Sequence, residues 1–125
     1  MIAKILAMGL AGAFGTLSRY GMSEAMYALF GRGFPCGTYA VNMLGCMLYG
    51  LVWGLSVDRG LISDEMRIVV LVGFMGSFTT FSSLIFDSEV LLLEHRWMAL
   101  AVNLIGQNTL GFAALLGGRK LSMLL

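Results

Sequence analysis

The sequence predicts an all-α membrane protein with four transmembrane helices per subunit, the third of them broken mid-membrane. Three observations lead there: too few charges to cover a water-facing surface, charge-free runs of bilayer-crossing length, and a dense hydroxyl cluster inside one of those runs. Of 125 residues, 58% are hydrophobic and 12% charged, with a mean hydropathy of +0.86. A soluble domain carries about a quarter charged residues, so this chain is expected in lipid.

The first helix is expected over residues 3–30. Its opening, "MIAKILAMGLAGAFG", contains an Ala11-Gly12-Ala13 triplet of signal-cleavage form, but the apolar core after Lys4 is only about seven residues, at the bottom of the signal-peptide range, and the segment reads as the start of a retained helix. Arg19 falls roughly two-thirds of the way along and must either snorkel or face a polar cavity. The second helix (36–57), the third (65–93) and the fourth (96–120) rest on the charge-free runs 36–57, 68–86 and 97–118. Each run is about 19–22 residues, near the ~20 that cross a ~30 Å hydrocarbon layer. Short connections and the absence of linkers make residues 1–125 a single four-helix domain. Gly9, Gly12 and Gly15 on the first helix, Gly50 and Gly54 on the second, and Gly106 and Gly111 on the fourth are read as close-packing positions.

Four spans put both termini on one side, with Lys4, Arg59, Arg67, Arg119 and Lys120 there and Arg32, Arg96 and Arg19 opposite. So small a bias lets the chain insert in either orientation. Four thin helices enclose little volume, so a membrane pathway calls for at least a dimer, and an antiparallel pair becomes available.

The third run contains "GFMGSFTTFSSL", residues 73–84. An isolated Ser or Thr bonds back to the preceding turn and the helix continues. Here Ser77, Thr79, Thr80, Ser82 and Ser83 crowd together after Gly73 and Gly76, and β-branching and glycine both oppose helix. A break near 76–80 follows. It would free carbonyls around Gly76 and Thr79 for a cation, and a helix restarting near Thr80 would offer N–H groups to an anion. Irregular backbone at this depth must be buried in protein or line water.

Asn42 on the second helix and Asn103 and Gln107 on the fourth add uncharged donors. The latter two share a face by their i, i+4 spacing, whereas Asn108 is expected to point elsewhere. Asp87, Glu89 and Glu24 fall toward helix ends, with Asp87 a possible partner for Arg19. Neutral donors with an arginine at one mouth suit a small anion, and the positive edge of the Phe81 ring fits the same chemistry.

Net charge of +1 and scattered basic residues give no nucleic-acid footprint. Cys36 and Cys46 lack the spacing and companions of a metal or redox site. His95, the only histidine, is read as a solvated interfacial residue, so an enzyme is not expected. The competing reading is a small dual-topology, proton-coupled multidrug cation transporter, which needs a carboxylate in mid-span that this chain does not carry. A purely structural membrane subunit is a third.

"GAFGTLSRY" (12–20), "GTYAVNMLG" (37–45), "GFMGSFTTFSS" (73–83) and "NLIGQNTLG" (103–111) resemble, in order and spacing, the Fluc/CrcB family of fluoride channels. The resemblance implies an antiparallel, dual-topology homodimer in the bacterial inner (plasma) membrane, with two pores for passive fluoride efflux. It implies a structural sodium ion at the dimer interface, held by the backbone carbonyls of Gly76 and Thr79. It places Asn42, Phe81, Ser82, Ser83, Leu84, Asn103 and Gln107 along the fluoride pore and Arg19 at the vestibule. Two positions depart from the family's pattern: Leu84 stands where many members have a second phenylalanine, and Gln107 stands where a hydroxyl is common.

Overall fold

The computed structural model describes residues Met1–Leu125. It contains helices and no strands. Helix α1 (Ile2–Phe30) is unbroken through Arg19 and ends where Gly31, at φ 78°, returns its N–H to the Tyr27 carbonyl at 2.9 Å. Glycine takes that left-handed conformation without a Cβ penalty. Pro35 precedes α2 (Cys36–Asp58), whose last turn is π-helical from Gly54.

Helix α3 (64–78) starts at Ser63, whose hydroxyl accepts the Met66 N–H at 3.3 Å, with Asp64 and Glu65 complementing the dipole of its first turn. It widens to π-helical hydrogen bonding over Val69–Met75 and stops after Phe78. Thr79 (φ −84°, ψ 160°) and Thr80 (φ −151°, ψ 115°) are extended, and α4 begins at once over Phe81–Leu93. Helix α5 (Trp97–Ser122) follows a turn in which His95 has φ 56°, and it carries a π-turn at Val102–Gly106.

Cys36–Asp58, Asp64–Leu93 and Trp97–Ser122 are long and apolar enough to cross a membrane. At 29 residues, α1 is about 43 Å long at 1.5 Å per residue, and it carries Lys4, Arg19 and Glu24. Only 20 of 125 residues are buried, and large apolar side chains cover the outside. That inside-out distribution suits a surface facing lipid and other protein, and it marks a multi-pass membrane protein.

Two helix pairs make the body, each brought close by glycine. In the α1–α3 pair, Gly15 lies against the Phe74 carbonyl and the Ser77 hydroxyl, while a Cβ added at Gly73 would come within 2.9 Å of the Met8 carbonyl oxygen. In the α2–α5 pair, Gly50 meets the Leu115 carbonyl, Gly118 the Met47 carbonyl and Gly54 the Ser122 hydroxyl. Without an apolar driving force in lipid, such backbone contact is what associates helices. Gly9 is different, because a Cβ added there would meet nothing within 4 Å.

The buried apolar core of Val41, Leu71, Met75 and Phe78 sits between α2 and α3, directly beside the break. Phe78 stacks on Phe74 at 5.4 Å, and Phe74 meets Phe14 of α1 at 5.7 Å. Beyond the spans, Arg119 and Asp58 form a two-bond ion pair (2.7 and 2.8 Å), and Arg59 donates to the Ser122 and Met123 carbonyls, tying the α2 end to the C-terminus.

Candidate functional site: the helix break and its amide chain

In a continuing helix the Thr80 N–H would donate to the Gly76 carbonyl. Instead it donates to Asn42 Oδ1 at 2.8 Å, and Asn42 Nδ2 returns a bond to the Thr80 carbonyl at 3.1 Å. One side chain on α2 thus grips both polar groups of one peptide residue. The Ser83 N–H, which would otherwise reach the Thr79 carbonyl, donates to Thr80 Oγ1 at 3.2 Å, so Thr80 N-caps α4. Gly76 and Thr79 therefore have carbonyls whose helical donors are diverted. Gly76 is exposed and Thr79 half-buried. Gly45 makes room for this arrangement, since a Cβ there would strike the Thr79 methyl group.

From Asn42 a chain of amides crosses to α5 and back to α4. Asn42 Nδ2 donates to Gln107 Oε1 (2.8 Å), Gln107 Nε2 to Asn103 Oδ1 (2.7 Å), and Asn103 Nδ2 to Ser88 Oγ (3.0 Å) and the Leu84 carbonyl (3.3 Å). Ser88 closes the run on the Leu84 carbonyl at 2.7 Å. Asn103 is fully buried and Gln107 is 4% exposed, so their polar groups rely on one another. The track carries no formal charge.

The break also divides the phenylalanines. Phe78 closes α3 in the core, whereas Phe81 opens α4 with 71% of its surface exposed, at the edge of a groove of about 320 Å³. Asn42, Thr79, Thr80, Leu84, Gln107 and Asn108 share that groove. Ser83 receives the Thr80 hydroxyl hydrogen at 3.0 Å, and Ser82 lies 3.3 Å from the same oxygen. Leu84 is buried and supplies its carbonyl to the chain rather than a ring to the groove. Removing the cap by Thr80→Val, close to isosteric, is expected to cost about 1 kcal/mol, read as a lower melting temperature of purified protein.

Two expectations need correction. Arg19 makes no ion pair with Asp87: Asp87 shares a cavity of about 370 Å³ with Tyr27, Arg32 and Arg96, and Arg19 lies eight residues, about 12 Å, back along α1 from Tyr27. Arg32 pairs instead with Glu24 at 2.8 Å and stacks over Tyr27, leaving Asp87 Oδ2 without a hydrogen bond. Asn108 stays outside the amide chain, donating to the Leu104 carbonyl at 2.7 Å, yet it lines the same groove as Gln107.

Ser88, Gly45 and the Thr80 peptide are site residues that sequence reasoning left out. A serine one turn after Leu84 on a hydroxyl-rich helix was the available signal for the first. The other two depend on contacts across about 38 residues of chain, as in the Asn42–Thr80 pair.

An all-helical, multi-pass membrane protein with an interrupted helix and an uncharged hydrogen-bonding track is the class these features define. The chain belongs to the family described as CrcB-like protein, Camphor Resistance (CrcB), whose model matches residues 6–119. It is 52% identical to the fluoride-specific ion channel FluC of Solidesulfovibrio magneticus over 125 residues, 100% of both chains. The FluC proteins of Nitrosococcus oceani (46%, 98% of each chain) and Maridesulfovibrio salexigens (44%, 98% of this chain and 97% of the other) are also similar. These relatives are named as channels, not enzymes.

Proposed function

We propose that this protein is a fluoride-selective channel that lets fluoride leave the bacterial cytoplasm passively, across the inner membrane, as an antiparallel, dual-topology homodimer of four-span subunits. The observation that carries the reading is the interrupted third span beside an uncharged amide track, anchored by the Asn42–Thr80 clamp and leaving Gln107 one open N–H. Fluoride is small and strongly hydrated, so entering a narrow corridor requires several fixed donors to replace its water. Neutral donors hold it without trapping it, as conduction demands. Arg19, half-buried and without an ion-pair partner on α1, supplies attraction at one mouth.

The dimer accounts for the exposed groove wall. Phe81 and the open carbonyls of Gly76 and Thr79 lie on a surface that a second copy would cover. Sodium fits those oxygens, which are neutral, uncommitted to helix donors and carried by rigid flanking helices. When bound, it would supply positive charge that locks the two breaks together. The chain's own contribution is to hold the Gly76 and Thr79 peptides in place through Asn42 and Thr80.

Fluoride efflux from liposomes holding the purified protein tests the function, with chloride as the control. Fluoride should leave through the protein while chloride is retained; equal passage of both, or none of either, contradicts the proposal. Phe81→Ile removes the positive ring edge while keeping an apolar side chain and is expected to abolish efflux, with the dimer unchanged by gel filtration.

A further inference from the structure

Each carboxamide has two N–H donors, and the groove beside the break can be inventoried on that basis. Asn42 has none left: one N–H is on the Thr80 carbonyl and the other on Gln107 Oε1. The Thr79 hydroxyl is spent on the Met75 carbonyl and the Thr80 hydroxyl on Ser83. Gln107 uses one N–H on Asn103 and keeps the other, and Asn108 uses one on the Leu104 carbonyl and keeps the other. Besides the weakly donating Cys46 thiol, the remaining free side-chain donor on this wall is the Tyr49 hydroxyl. It lies seven residues along α2 from Asn42, about 10 Å, whereas Gln107 touches Asn42 directly and Asn108 is its neighbour.

The position of Asn108 is a second observation. It is exposed near the middle of the Trp97–Ser122 span. An amide turned to hydrocarbon there, with an open N–H, is costly. On the groove wall beside Gln107, an entering anion is the partner that would satisfy that N–H.

We propose that the adjacent carboxamides of Gln107 and Asn108 are the anion-selecting donor pair of this groove, and that Asn108 is a specificity-determining residue. The inference rests on the channel reading above. It gives the pathway of this chain a donor outside the Asn42–Gln107–Asn103 chain, at a position where sequence spacing points away from it.

The test compares wild type, Asn108→Leu and Asn108→Gln in liposomes, reading fluoride efflux and the fluoride-to-chloride permeability ratio from reversal potentials. Loss of a hydrogen bond to an anion predicts fluoride flux about tenfold or more lower in Asn108→Leu, a smaller permeability ratio, and substantial recovery of both in Asn108→Gln, with all three proteins eluting as the same species. Wild-type flux and selectivity in Asn108→Leu overturn the inference and leave the channel reading intact. Loss of flux accompanied by loss of the dimer also overturns it, because Asn108 is then a contact between copies. A wild-type protein that passes no fluoride removes both.

Discussion

Asn42→Asp is expected to abolish fluoride efflux, down to the leak of empty vesicles. The substitution preserves size and the acceptor for the Thr80 N–H, and it replaces the donating Nδ2 with an oxygen. Ionised, that oxygen faces the Thr80 carbonyl and Gln107 Oε1, two acceptors with no hydrogen to share. Two hydrogen bonds of about 1 kcal/mol each are lost, an acceptor–acceptor clash is added at the point that holds the break, and the negative charge repels the anion. Electrode-recorded efflux from liposomes, with gel filtration to show that the variant elutes as the same species as wild type, checks the result. Wild-type flux would remove Asn42 from both the clamp and the pathway.

The largest structural effect is expected at Gly118. A Cβ there would overlap the Met47 carbonyl, and backbone cannot move aside as a flexible side chain can. Gly118→Val therefore forces α2 and α5 apart along the same face that carries Asn42, Asn103 and Gln107. Overpacking of this kind costs about 3 kcal/mol or more, a large share of the stability of a small domain. Gly118→Val should yield little monodisperse protein and melt well below wild type. Gly117→Val is the matched control, since a Cβ added at Gly117 would meet nothing within 4 Å and enter open space. Equal melting of the two variants would contradict the packing account.

Much of the architecture is readable because a bilayer imposes a length. Runs free of charge at 36–57, 68–86 and 97–118 mark long helices, and the structure extends them by a turn or less at most ends. The interruption is readable for a different reason: at residues 73–84 local preference opposes helix at several adjacent positions. Its place, Thr79–Thr80, falls at the later edge of the 76–80 window because Asn42 captures one particular peptide. Nothing local to Thr80 announces a partner 38 residues away.

Side-chain direction is the part that spacing misjudges. Gln107 and Asn108 are about 100° apart on an ideal helix, yet both border the groove, which wraps around that face of α5. Likewise, Phe78 and Phe81 are three residues apart and would share a helical face, but two extended residues between them send one to the core and the other outside. Gly118, with no GxxxG partner of its own, is recognisable as a packing position only once Met47 is seen against it.

The most direct test of the central claim is a high-resolution map of the purified protein prepared in sodium. The account predicts a two-fold dimer with α3 and α4 separated at Thr79–Thr80 and a single compact density on the axis between the Gly76 and Thr79 carbonyl oxygens of the two copies. A continuous helix through Thr80, or carbonyls turned away from one another with no density between them, would contradict it.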